Sequence, residues 1–212
     1  MERSCCNGVL MRGLGRWLVF SRLRAWVGRT IELPRLLRGA AIPRGATCLD
    51  IATGLGWASV GLLRREPLAE IVAIDYDEAI LPRTRDYLSS HTTGERSTVC
   101  CADAKHLPFR AGSFHVVICL YGLHHCRGYL EALREIARVL KPGGTLALID
   151  PVRKTGKPAN GHHGTEVPTV EELKRMLGDA GFQPLAPRVA MGTAKLVVNK
   201  AYSEDRPHRE VV

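Results

Sequence analysis

A chain of 212 residues with 45% hydrophobic and 24% charged side chains is sized for one packed core, which excludes wholesale disorder. No apolar run approaches the ~20 residues of a membrane-spanning helix. The net charge of +9 is unevenly placed: residues 1–45 hold nine arginines against Glu2 and Glu32, and the remaining body is close to neutral. A groove for nucleic acid would spread its basic residues through the body, so the charge does not describe one.

The seven cysteines include the adjacent pairs Cys5-Cys6 and Cys100-Cys101 and no C-x-x-C spacing. With no secretory leader apparent, they read as reduced thiols in a cytoplasmic protein.

In chain order, residues 14–31 come first. Val19, Phe20, Leu23, Trp26, Val27 and Ile31 recur at helical spacing, with Arg22, Arg24 and Arg29 off the stripe, which predicts a basic amphipathic helix. Its apolar face is expected either to touch a membrane surface or cover a greasy substrate, or to pack on the body with the arginines in water. An Arg-rich start also fits a transit peptide, but the apolar stripe runs straight into the rest of the chain.

After Pro43-Arg44-Gly45 short apolar runs alternate with helical stretches. Strands are predicted at 47–51, 70–74 (ending in Asp75), 98–101, 114–120 and 145–149. Helices follow the first, second and fourth of these strands, and Lys141-Pro142-Gly143-Gly144 stops the last of the three. Such alternation implies parallel pairing through right-handed crossovers. A helix at 169–180 and strands at 182–190 and 194–202 follow. The two strands surround Met191-Gly192, so the last should run antiparallel, and Pro184 and Pro187 make the first of them an edge.

The chemistry concentrates at strand ends. Asp50 closes the first strand before a turn through Gly54 and Gly56 into a helix, a loop that brings backbone close to a ligand. Asp75, ending the next strand, can accept both hydroxyls of a ribose. Asp103 follows the third strand, where a carboxylate can accept from the exocyclic amine of an adenine. Any one of these acids could equally be a helix cap; three at the ends of successive strands argue for a nucleoside site.

The stretches LDIATGLGWAS, IVAIDYDEA, CCADAKHLPF, VVICLYGLHH and REIARVLKPGGTLALID resemble the successive motifs of class I S-adenosylmethionine-dependent methyltransferases. The likeness is to the small-molecule branch that includes ubiquinone and menaquinone biosynthesis enzymes. It covers residues 46–150 in order, and the tail to 202 more loosely. The resemblance implies a Rossmann-like α/β fold: a seven-stranded, mostly parallel sheet with an antiparallel last strand, helices on both faces, and the N-terminal amphipathic helix added. It divides the chain into a basic segment (1–45), a methyltransferase domain (46–202) and a solvated tail (203–212).

It further implies that S-adenosyl-L-methionine is bound by Asp50, Ala52, Gly54 and Gly56 on its methionine side, by Asp75 at the ribose, and by Tyr76, Asp103 and Ala104 around the adenine, with Leu120 closing the pocket floor. Ala52 stands where the family's D-x-G-x-G-x-G has its first glycine, so the loop is expected to avoid positive φ there. A dehydrogenase is the alternative for the loop alone, but Ser59 replaces the third glycine of G-x-G-x-x-G.

Tyr121, His124 and His125 follow the fourth strand and are the candidates for a base, although an LHH here is common in the family and can simply pack the next helix. His162 and His163 lie in a Gly/Pro-rich stretch that could reach the same rim; no acidic cluster accompanies them, and no metal site is expected. Cys100, Cys101 and Cys126 could meet a soft acceptor.

The expected function is in-line methyl transfer to a small molecule, lipid-like or quinone-like, with peripheral membrane contact through residues 14–31 as a further expectation. An RNA or protein methyltransferase is the alternative; CLYG at 119–122 stands in place of the Asn/Asp-Pro-Pro-aromatic tetrad of nucleic-acid amino-methylating enzymes. A non-catalytic cofactor-binding subunit is the second alternative, against which the intact loop and acids speak.

Overall fold

The computed structural model describes residues 22–38, 40, 42–65, 68, 70–92, 96–155, 167–183, 187–190 and 192–201. Val19, Phe20, the His162-His163 pair and the 203–212 tail lie outside them.

Seven strands form one sheet: β1 (Thr47–Ile51), β2 (Glu70–Asp75), β3 (Ser97–Cys101), β4 (Phe114–Leu120), β5 (Leu140–Pro151), β6 (Arg188–Ala190) and β7 (Thr193–Asn199), in the order β3-β2-β1-β4-β5-β7-β6. β1 through β5 pair in parallel, and β7 runs antiparallel to both β5 and β6. The expected mixed sheet is therefore present, with β6 at its edge. That strand is shorter than its sequence suggests; upstream, Phe182 makes only an isolated bridge to Lys200.

Alternate residues of the central strands serve two cores, as a sheet covered on both faces requires. Leu49, Val117 and Leu148 face α4 (Tyr129–Val139) and α5 (Val170–Asp179). Their chain neighbours Cys48, Val116 and Ala147 face the opposite layer with α2 (Trp57–Arg65). α3 (Leu81–His91) packs through Leu88 against Val60 and Ala73. Thr169 and Glu172 start α5 with a reciprocal capping box.

Two expectations change. Lys141-Pro142-Gly143-Gly144 ends α4 but lies within β5, where the register against β4 jumps from Phe114↔Leu140 to Val116↔Thr145. The extra residues form a bulge.

The N-terminal helix also differs. Arg22–Val27, a π turn over Gly28–Glu32 and Leu33–Leu36 make one continuous element, α1, which runs past Ile31 through Pro34. The wider π turn accommodates a proline that has no N–H to give and would crowd the preceding turn. Among the described residues of the predicted stripe, Leu23 and Trp26 are 70% and 52% exposed while Val27 and Ile31 are half-buried, and the helix packs most closely through Ala25, Gly28, Leu33 and Leu36, which are buried. Small residues explain this seating. A Cβ on Gly28 would meet the Trp57 ring at 2.6–2.9 Å, and one on Gly61 would meet Leu33 at 2.7 Å. The helices approach through glycine, which a count of apolar side chains overlooks.

Candidate active site at the strand ends

β1 and β4 are neighbours, but the chain leaves β1 toward β2 and β3 on one side and β4 toward β5 on the other. The crevice beyond the carboxyl ends of such a pair is where open α/β sheets bind ligands. Ala52 follows β1 with φ +55°, and Tyr121 follows β4 with φ +60°; among the described residues no other non-glycine residue has positive φ. Backbone strain concentrated beside one crevice is a feature of functional sites. The expectation that Ala52 avoids positive φ is thus corrected: the alanine itself adopts the left-handed conformation. Space for its methyl group comes from Gly122, where a Cβ would stand only 2.5 Å from that of Ala52.

Asp50 lies beneath the loop. It is buried, and its Oδ2 accepts from the hydroxyls of Thr53 at 2.8 Å and Ser59 at 2.6 Å. Burial pushes its carboxyl up to about 6 against the pull of both hydroxyls, with Asp75 adding a smaller upward push. This carboxylate ties the loop to the start of α2 through those two hydroxyls. Gly54 and Gly56 complete the turn with φ +56° and +79°. Thr84 ties α3 to the loop, its Oγ1 donating to the Gly54 carbonyl.

Asp75 ends β2 with its carboxylate held from two sides, accepting from the N–H of Gly54 at 2.8 Å and of Asp77 at 2.9 Å. Tyr76 follows, its carbonyl accepting from the Cys101 thiol. Beyond β3, Asp103 Oδ1 accepts from the Lys105 N–H at 2.9 Å, while Oδ2 lies 3.7 Å from Lys105 Nζ and 3.8 Å from His106 Nδ1. Ala104 and Leu120 are buried behind this rim. Oriented carboxylates and a sharply turned loop fit a nucleoside that offers hydroxyls and an exocyclic amine. The residues present therefore suit the cofactor that the motifs imply.

The β4 end carries the predicted Tyr121, His124 and His125. The Tyr121 hydroxyl donates to Glu32 Oε1 at 3.0 Å, so α1 reaches this rim. His124 and His125 occupy a one-turn 3-10 helix (Leu123–His125), their rings tilted with centroids 3.8 Å apart. His124 Nδ1 lies 2.8 Å from Oδ1 of Asp150, which is fully buried near the end of β5.

Sequence reasoning missed Asp150 and Glu32. For Asp150 the signal was available, since it is another acid closing a strand, in LALID. Glu32 had none, because only the tertiary fold brings it to Tyr121. Burial raises the thiols of Cys119 and, to about 12, Cys126, with nearby carboxylates adding to both effects; neither supplies a thiolate at neutral pH. Among the described residues no group of three or more metal-ligating side chains occurs, and no helix is long and apolar enough to cross a membrane.

Comparison with known proteins agrees with this geometry. Residues 49–148 match a family described as a methyltransferase domain. A mitochondrial 2-methoxy-6-polyprenyl-1,4-benzoquinol methylase of Caenorhabditis elegans is 31% identical over 114 residues, 53% of this chain and 40% of the relative. A demethylmenaquinone methyltransferase of Staphylococcus aureus is 31% identical over 122 residues, 57% of this chain and 49% of the relative. The chain thus spans about half the length of the curated relatives it matches. In fold it is similar to a SAM-dependent methyltransferase from Aquifex aeolicus, with a TM-score of 0.71 at 19% identity over 91% of this chain and all of that one.

Proposed function

We propose that this chain, whose residues 49–148 match a methyltransferase domain, is a class I S-adenosylmethionine-dependent methyltransferase that methylates a small, apolar aromatic acceptor of the quinol type in the crevice between β1 and β4. The observation that carries this reading is the pairing of the strained Ala52 loop with the twice-anchored Asp75 carboxylate at the switch point. The quinol class rests on the chemistry that the named relatives perform.

In this reading Gly54 and Gly56 pass beneath the methionine part of the cofactor, and Asp75 accepts from the ribose hydroxyls. Tyr76, Asp103, Ala104 and Leu120 surround the adenine. Asp50 and Ala52 act by holding the loop in shape. Bound S-adenosylmethionine supplies a methyl group on a positively charged sulfur that is already electrophilic. The protein's work is therefore to orient an acceptor against it and exclude water, an effect that can supply roughly 7–11 kcal/mol of a barrier.

The outward face of α1 supports a further element of the proposal. Leu23 and Trp26 stand exposed in the segment that carries most of the net positive charge, a combination suited to an anionic lipid surface from which an apolar acceptor is collected.

The test is methyl transfer to demethylmenaquinol bearing a short prenyl tail, kept reduced, with RNA as a parallel acceptor. The expected product is heavier by one methyl group. Methylated RNA with unmodified quinol would reverse the assignment. For the lipid element, Trp26→Ser is expected to weaken flotation with phosphatidylglycerol vesicles; undiminished flotation would remove it.

A further inference from the structure

Four described acids close the strands around the crevice, and Asp150 is the one that the cofactor reading leaves without a task. It is fully buried near the end of β5, where an unengaged carboxylate is costly. Oδ1 meets His124 Nδ1 at 2.8 Å. Oδ2 has no hydrogen-bond partner among the described residues, and neither does the nearby buried hydroxyl of Tyr129. The hydroxyl still faces the carboxylate closely enough to act as a donor toward it: burial pushes the Asp150 carboxyl up, and His124 and Tyr129 pull it back down. A carboxylate only accepts, so the contact assigns the proton of a neutral His124 ring to Nδ1 and leaves a lone pair on Nε2. His124 Nε2 has no partner among the described residues, and the side chain keeps 18% exposure.

We propose that Asp150 is a positioning residue that holds His124 as the base of the methylation reaction, with Nε2 taking the acceptor's proton. The inference rests on the methyltransferase reading above and selects one of its three candidates. Tyr121 already donates its hydroxyl to Glu32, whereas His124 has a buried carboxylate behind it. His125 stacks on His124 and closes one side of its ring.

The step balances within the acceptor and the protein. The acceptor's O–H bond breaks, its proton forms a bond to the Nε2 lone pair, and the O–H electron pair stays on the acceptor, enriching the ring carbon that takes the methyl. That carbon's own hydrogen later leaves as a proton, the imidazolium returns its proton to the oxygen, and one proton reaches solvent per methyl. Charge appears on His124 only while the Asp150 carboxylate faces it. The other titratable groups around the pair are Tyr129 of α4, Cys119 of β4, Cys126 after the turn and His125. Burial raises Tyr129, Cys119 and Cys126, with Asp150 raising each further; burial raises Asp150 as well, but His124 pulls it back down, so Asp150 is the acid among them that can face the imidazolium.

Two readouts test the assignment. The first needs neither ligand nor variant: imidazole nitrogen-15 spectra of the free wild-type protein are expected to give the Nδ1–H tautomer for neutral His124. The second uses Asp150→Asn and His124→Gln with short-tailed demethylmenaquinol as probe. Each substitution is expected to lower turnover about 100- to 10,000-fold while changing the dissociation constant for S-adenosylhomocysteine less than threefold. An Nε2–H tautomer in wild type, or Asp150→Asn turning over within threefold of wild type, overturns the pair. Failure of wild type to methylate the probe instead refutes the quinol reading, and the tautomer then decides the pair by itself.

Discussion

Ala52 and Gly122 share one small volume, and substituting both gives the sharpest stability test of the site's architecture. Ala52 adopts φ +55°, a conformation that costs a residue with a Cβ about 1–2 kcal/mol. Ala52→Gly removes that cost but frees the unfolded chain by about 0.4–1 kcal/mol, leaving a net gain of about 0.5–1 kcal/mol. Gly122 has φ −119° and ψ −44°, so alanine there meets no left-handed penalty. Its Cβ would instead lie 2.5 Å from that of Ala52 and 2.9 Å from Cys119 Sγ, an overpacking expected to cost about 1–3 kcal/mol. In the double variant Ala52→Gly/Gly122→Ala the methyl groups no longer collide, and only the sulfur contact remains.

Urea denaturation of the four proteins closes a thermodynamic cycle. Its expected coupling energy is about 1 kcal/mol or more, with the double variant more stable than the two single effects sum to. Gly122 also starts the turn that carries His124, so Gly122→Ala should reduce turnover, with partial recovery in the double variant. Additivity within about 0.3 kcal/mol would mean that the two positions do not compete for space.

Three more expectations follow from the contacts. Asp75→Asn is expected to weaken S-adenosylhomocysteine binding about 10- to 100-fold, the range for hydrogen bonds to a charged group; calorimetry showing unchanged affinity would detach Asp75 from the cofactor. The Asp50 carboxyl is raised from 3.8 to about 6 in the folded protein, so the folded state holds its proton more tightly. Its contribution is full below pH ~4 and is lost as pH rises through ~6, in total about 3 kcal/mol. Asp50→Asn should flatten that part of the stability profile, and an identical profile would contradict the assignment. Gly28→Ala drives a Cβ into the Trp57 ring and is expected to destabilise the fold by about 1–3 kcal/mol in thermal unfolding; an unchanged midpoint would show that α1 is not seated through this glycine.

Much of this architecture is legible in the residue pattern because the central strands are short, apolar and bounded by turns. Thr47–Ile51 and Phe114–Leu120 are read from sequence with the bounds they have in the fold. The acids at strand ends are legible for the same reason, since strand direction places each one on the same rim. What escapes the pattern depends on tertiary spacing. The hydroxyls of Thr53 and Ser59 that enclose Asp50 are not legible as its partners in the sequence. How α1 is seated is not legible, because Gly28 and Gly61 pack without contributing hydrophobicity. The left-handed Ala52 is explained only by the hollow at Gly122, seventy residues away in sequence.

The account depends most on where the cofactor sits. A crystal structure of the protein with S-adenosylhomocysteine should place the nucleoside across the carboxyl ends of β1 and β2, its ribose hydroxyls on Asp75 and its adenine amine toward Asp103. The thioether sulfur should face the His124 side of the crevice. Electron density for the ligand on any other face of the protein, with this rim unchanged, would contradict it.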